Sequence, residues 1–298
     1  MLWLRIIRPQ TLFASVCPVL VGWLSCRHNL TNADGKVILV FALTLISALS
    51  LQILSNLIND YYDFVRGTDK QGRVGFKRAL AEGEVTTKQM RTACLISLAV
   101  AILTGCCLVY VGGWVILVVG LTAILFAWLY TATNHSLSYL GIADIFVFLY
   151  YGVIASCGTA WLLLKAADVV IDRQSFISIL SVPFYAGAVC GLISMIVLAV
   201  NNIRDIESDR KAGKRTFPVR FGKTAALVAL AVIVILQPLF AWLAFGVSPA
   251  MLIFVPSALL FWKILLSEGA EYNKCLLGAG IVNLCYVLLV AITVLCSF

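Results

Sequence analysis

Two acidic clusters interrupt an otherwise apolar chain, and basic residues follow each at once. The first is Asn59-Asp60-Tyr61-Tyr62-Asp63, trailed by Arg66, Lys70, Arg73, Lys77 and Arg78. The second runs from Asn201-Asn202-Ile203-Arg204-Asp205 through Glu207 to Asp209, trailed by Arg210, Lys211, Lys214, Arg215 and Arg220. Carboxylates gather a hard divalent cation, and neighbouring guanidinium and ammonium groups hold phosphate oxygens. That is the equipment needed to bind and ionise a diphosphate ester. Carboxylates alone would repel such an anion. Mg²⁺ resolves the conflict, because it takes one or two carboxylates and fills its other positions with water and phosphate oxygens. The cations then stabilise the charge that builds on a departing diphosphate, a task to which arginine brings a planar fork. If the departing group leaves an allylic carbon, the cation left behind needs a dry chamber.

The spacing within each cluster supports a shared face. Helix positions four apart lie one above the other. Asn59 therefore aligns with Asp63, and Asn201, Asp205 and Asp209 form one ladder. Acids near a helix C-terminus oppose the helix dipole at a cost of several tenths of a kcal/mol each. Placing them there twice argues against indifferent surface charge.

The elements that must position these residues are membrane spans. The chain is 62% hydrophobic and only 12% charged, against roughly 25% charged in soluble domains. Its mean hydropathy is +1.01. Long apolar runs without alternation predict helices rather than a barrel. Nine spans are expected, near residues 10–27, 37–64, 89–111, 114–131, 138–164, 176–204, 223–246, 248–266 and 275–297. Each is long enough for the ~20 residues that cross a bilayer core. The expected fold is thus an all-α polytopic membrane protein with a single domain over 1–298. With the N-terminus inside, 18 of the 22 basic residues fall on the inner side; only Arg27, Lys36, Lys165 and Arg173 fall outside. That asymmetry predicts a cytoplasmic N-terminus, an outer C-terminus and both acidic clusters on the cytoplasmic face. The net charge of +8 then belongs to a face against anionic lipid, not to nucleic-acid binding. Pro18 within the first run, and no small-residue cleavage site after it, predict a retained span rather than a signal peptide. The ten cysteines lack C-x-x-C spacing and read as packing residues, and His28 and His135 are too far apart for a metal site.

Asp63 and Asp205 end the second and sixth expected spans, with an even count between them, so both clusters face one side. Two parallel four-helix units plus a ninth helix follow, with a central cavity beneath the two loops.

Asn59-Asp60-x-x-Asp63 and Asp205-x-x-x-Asp209 are similar to the paired aspartate motifs of the UbiA superfamily of intramembrane prenyltransferases. The likeness runs from Arg8-Pro9-Gln10-Thr11 to about Gly222. Within the superfamily the chain most resembles the 1,4-dihydroxy-2-naphthoate polyprenyltransferases of menaquinone biosynthesis. The segments concerned are Asn59 to Asp69, Arg78 to Gly83, Leu140 to Phe148, and Asn201 to Thr216. Nine helices around a central cavity are what the resemblance implies for the fold. For activity it implies transfer of a polyprenyl group from its diphosphate to dihydroxynaphthoate, with loss of a proton and of CO₂. Asp60, Asp63, Asp69, Asp205 and Asp209 would then hold Mg²⁺ or its waters, and Asn59 and Asn201 would be neutral ligands. Lys70, Arg73, Arg78, Lys211, Lys214 and Arg215 would contact diphosphate. Asp144 would orient acceptor hydroxyls, or else serve as an ordinary helix-start acid. Most of the superfamily has a third aspartate where this chain has Gly67, and Asp69 is the expected substitute. Arg8 is expected as an interfacial anchor rather than a carboxylate contact, and Tyr61, Tyr62, Phe148, Tyr150 and Tyr151 as candidates to flank a prenyl cation.

Two other classes compete. A cation transporter would set its acids near mid-membrane without surrounding cations. A phosphatidyl-type alcohol phosphotransferase would carry a D-G-x-x-A-R motif, which is absent. Among prenyltransferases, 4-hydroxybenzoate, homogentisate or haem B remain possible acceptors, and prenyl length is not fixed by the sequence.

Overall fold

The computed structural model describes residues 2–30, 34–67, 75–129, 142–172 and 175–296. Their regular secondary structure is all helical, with no strand among the described residues. A short α1 (Leu2–Ile6) precedes α2 (Pro9–Cys26), α3 (Gly35–Val65) and α4 (Thr87–Gly112). Then come α5 (Trp114–Leu129) and α6 (Ala143–Ala166). The second half holds α7 (Ser175–Arg204), the short α8 (Ile206–Lys211) and α9 (Phe217–Phe245). It closes with α10 (Pro249–Leu266) and α11 (Tyr272–Cys296). Among the described residues eight helices are long and apolar enough to span a membrane, and α5 is a shorter apolar helix of 16 residues. The expected spans coincide with these eight helices and α5 to within a few residues, apart from the seventh's start, while residues 130–131, 138–141 and 297 of the expected spans lie outside the described residues. The expected basic loop 204–223 is partly helical, since α8 and the first turns of α9 occupy it.

Local chemistry sets the boundaries. Asp34 caps α3 by accepting from the Val37 amide at 3.0 Å. Thr86 and Gln89 form a reciprocal capping box at the start of α4. Lipid-facing surfaces carry large apolar side chains such as Leu103, Leu259, Ile235 and Leu288.

The two halves correspond. The helix carrying the first acidic cluster, α3, packs most heavily on its successor α4, as α7 does on α9. The leading helices of each unit, α2 and α6, meet at the centre. One polar tie, Lys36 to Asp168 at 3.0 Å, lies at one end of the bundle. Arg5 pairs with Glu84 at the other, where both acidic clusters lie.

Two features set the shape of the interior. A π-helical turn at Leu149–Val153 interrupts α6. It brings Gly152 so close to α7 that a Cβ there would lie 2.6 Å from the Gly187 carbonyl oxygen and from Gly191. Small residues permit this approach of backbones. Beneath the first basic loop, Ile6, Leu57, Ala79, Leu80, Val85 and Met90 form an apolar cluster. That cluster anchors Ala79 and Leu80, and thereby Arg78, over the end of α3.

Candidate active site

The last turns of α3 present Gln52, Asn56, Asn59 and Asp63 to a cavity of about 470 Å³. From α7 and its continuation, Ser194, Asn201, Asn202, Asp205 and Asp209 face the same space. The expected ladder survives a break in the helix. Asp205 adopts φ −99° and ψ 13° between α7 and α8. Its amide still donates to the Asn201 carbonyl at 3.0 Å, and the Asp209 amide to the Asp205 carbonyl at 2.8 Å. Carboxylates from the two units therefore converge on one mouth.

Each acid there meets a cation of the chain. Asp60, 4% exposed, is clasped by the guanidinium groups of Arg8 and Arg78. Asp205 receives a two-pronged contact from Arg204, whose Nε and Nη2 donate at 2.8 and 2.7 Å. The third prong, Nη1, donates to Asn273 Oδ1 of α11 at 2.7 Å. Lys214 Nζ stands 3.6 Å from Asp63 Oδ1 and 3.8 Å from Asp209 Oδ1, joining the two clusters. A tight turn sends Lys214 back over the site. Gly213 takes φ 74°, a value that L side chains resist, and the Lys214 amide donates to the Asp209 carbonyl at 2.9 Å.

Below the mouth the walls become apolar. Ile102, Val109, Leu117, Leu121 and Ile124 of α4 and α5 line this part, with Tyr150 and Tyr151 from the π-turn. Tyr150 lies edge-on to Phe126, with ring centroids 5.1 Å apart.

The structure thus gathers Asn59, Asp63, Arg78, Asn201, Asp205, Asp209 and Lys214 around the cavity. Asp60 stands behind this lining, turned to its two arginines. Lys211 and Arg215 are exposed and lie outside the lining. Asp144, part-buried in the first turn of α6, is outside it too, so the geometry favours the helix-start role. Of the five candidate aromatics only Tyr150 and Tyr151 line the cavity. Tyr61 accepts from Arg91 Nε at 2.7 Å, Tyr62 packs against Trp128, and Phe148 packs against the core. Asp69, Lys70 and Arg73 lie outside the described residues.

Arg8 departs from its expected role as an interfacial anchor, since its guanidinium turns inward to Asp60 and lines the cavity. The side chains of Gln52, Ser194, Arg204 and Thr216 also belong to the site or its support and were not singled out from the sequence. Thr216 Oγ1 is buried at the mouth with no hydrogen-bond partner among the described residues.

An all-helical membrane bundle with a cavity that begins among paired carboxylates and cations and ends in an apolar tube defines the class. The chain matches the UbiA prenyltransferase family over residues 15–276, and it belongs to that family. It is 36% identical over 230 residues to the 1,4-dihydroxy-2-naphthoate octaprenyltransferase of Escherichia coli (strain K12), covering 75% of this chain and 70% of that one. Its fold is like that of a UbiA homolog from Aeropyrum pernix K1 in the apo state, with a TM-score of 0.66 and 16% identity over 97% of this chain and 98% of the other. It is also like that of a UbiA homolog from Archaeoglobus fulgidus bound to GPP and Mg²⁺, with a TM-score of 0.60 and 18% identity over 99% of both chains. The expected family and the all-α membrane fold are borne out.

Proposed function

We propose that this protein transfers a polyprenyl group from an allylic polyprenyl diphosphate to 1,4-dihydroxy-2-naphthoate, releasing CO₂ and diphosphate and giving demethylmenaquinol. The observation that carries the chemistry is the meeting of Asp63, Asp205, Asp209 and Lys214 at the mouth of an apolar cavity. The acceptor is carried by the 36% identity to a relative named for it. A cation transporter fits poorly, because resident cations already meet the acids of the mouth.

The residues present fit a divalent cation. Among the described residues no three metal-binding side chains form a closed cage. Mg²⁺ asks for none, since it relies on one or two carboxylates and on substrate phosphates. Asp63, Asp205 and Asp209 would hold it directly or through its waters, with the amide oxygens of Asn59 and Asn201 as neutral ligands, and Asp69 stays a candidate ligand. Bound Mg²⁺ would neutralise charge between these carboxylates and the diphosphate oxygens. Lys214 and Arg78 contact the diphosphate and stabilise it as it leaves; Lys70 and Arg73 are placed by sequence to join them. Asp60 holds Arg8 and Arg78 in position for that task. The apolar tube takes the prenyl chain and excludes water from the allylic cation, and Tyr150 and Tyr151 line it as candidates to stabilise that cation. The ring carbon bearing the carboxylate attacks the allylic carbon as the carbon–oxygen bond to diphosphate breaks. The carboxyl carbon then leaves as CO₂, and its bonding pair restores the aromatic ring.

The molecule is read as one domain in a bacterial membrane, in contact with lipid but not with nucleic acid. The N-terminus and the mouth lie on the cytoplasmic side and the C-terminus outside. Membranes given carboxyl-labelled dihydroxynaphthoate, a long prenyl diphosphate and Mg²⁺ test the reaction. The label should appear as CO₂, one for each diphosphate released. Label kept in a prenylated product would instead mark a 4-hydroxybenzoate-type reaction, in which the attacked carbon bears hydrogen.

A further inference from the structure

Deeper in the cavity lie two buried polar atoms that no described residue satisfies. Gln52 is 6% exposed and Ser194 is 3% exposed, both line the cavity, and Gln52 Oε1 and Ser194 Oγ lack hydrogen-bond partners. Serines and threonines in apolar helices usually return their hydroxyl to a carbonyl one turn back. Ser25, Thr44 and Thr159 here do so, at 2.6, 2.8 and 2.7 Å. Ser194 does not. An orphaned buried polar group carries a desolvation penalty with nothing to offset it, which calls for a missing partner.

The orientation of Gln52 is fixed by its neighbours. Asn56 Nδ2 donates to the Ile7 carbonyl at 3.1 Å and to Thr11 Oγ1 at 2.9 Å, so Asn56 must turn its oxygen toward Gln52. Gln52 answers with its amide nitrogen, at 3.5 Å. Its oxygen is therefore the end left over, and it is an acceptor waiting for a donor. The two atoms also occupy equivalent places in the two halves. Gln52 stands eleven residues before Asp63, and Ser194 stands eleven before Asp205. At 1.5 Å per residue that is roughly 16 Å of helix. A second pair of polar side chains thus lies below the acids, about three helical turns down each wall of the cavity.

We propose that Gln52 and Ser194 form the subsite for a ring hydroxyl of the aromatic acceptor. The acceptor's O–H donates to Gln52 Oε1, and its oxygen accepts from the Ser194 hydroxyl. This rests on the proposed acceptor and adds how it is selected: the hydroxyl remote from the carboxylate is read at the far end of the ring. A site with a buried acceptor discriminates against a ligand lacking the matching donor, because the oxygen is then left unpaired.

The test compares 1,4-dihydroxy-2-naphthoate with 1-hydroxy-2-naphthoate, which lacks the remote hydroxyl. Binding of each is measured by calorimetry to the full purified chain with Mg²⁺ and inorganic pyrophosphate present. The wild type should prefer the dihydroxy compound by about 10- to 100-fold, the worth of one hydrogen bond to a buried group. In Gln52→Leu the two should bind alike, while the KM for prenyl diphosphate stays unchanged. An undiminished preference in Gln52→Leu, or an equal loss of affinity for both compounds, would overturn the subsite. Ser194→Ala, a smaller change, carries the same comparison should Gln52→Leu not fold. If the wild type bound neither naphthoate, the acceptor assignment itself would fall, a result distinct from a preference that merely ignores Gln52.

Discussion

Asp60 and Asp63 stand three residues apart and face different partners, so their neutral variants should fail differently. Asp63→Asn removes a cavity-lining carboxylate beside Lys214, and Asp205→Asn does the same in the other half. Both should abolish turnover while the thermal midpoint of the purified protein moves little for Asp63→Asn. Asp60→Asn instead leaves Arg8 and Arg78 without their shared counter-charge. Breaking a buried pair costs about 3–5 kcal/mol, so this variant should melt markedly earlier as well as lose activity. Equal melting of Asp60→Asn and wild type would deny the clasp. The acids and Lys214 were legible in the sequence because four-residue spacing and the trailing cations are local signals. Arg8 was not, since its partner lies 52 residues away and nothing local marks the pairing. Lys211 and Arg215 flank Lys214 in the same basic run, yet they are exposed, while Lys214, placed by the turn at Gly213, points inward.

At the scale of elements, hydropathy placed the spans well because bilayer thickness dictates their length. It could not show the π-turn in α6, whose residues are as apolar as those around them. The turn depends instead on the contact between Gly152 and the glycines of α7, a pairing visible only in three dimensions. Gly152→Leu should push α6 away from α7 and destabilise the bundle by about 1–3 kcal/mol, the usual cost of overpacking. Gly158→Ala, in the same helix but with nothing within 4 Å of its Cβ position, should not lower the thermal midpoint and should raise it slightly. The chain after Asp205 illustrates the opposite difficulty. Its charge suggested a loop, but its acids at the start of α8 and bases at its end suit the helix dipole, and a short helix forms.

For the whole molecule, orientation rests on the distribution of basic residues. Reporter fusions in the 75–86 and 212–216 segments should both report the cytoplasm, and a fusion after α11 the opposite side. Opposite sides for the first two would contradict the shared mouth. Activity in membranes should also vanish with EDTA and return with added Mg²⁺, the behaviour of a site that cannot hold diphosphate against its own carboxylates.

Arg204 joins Asp205 to Asn273, and that tie bears on how the protein is made. Asp205 belongs to the sixth long apolar segment to leave the ribosome, whereas Asn273 begins the last one described. Until α11 has entered the bilayer, the fork of Arg204 lacks its outer anchor, and the second carboxylate cluster has no fixed aim. A nascent chain with every aspartate already translated is therefore still an unfinished catalyst. Competence arrives late in synthesis, when the surrounding helices can already close off the chamber in which a reactive carbocation must be kept from water.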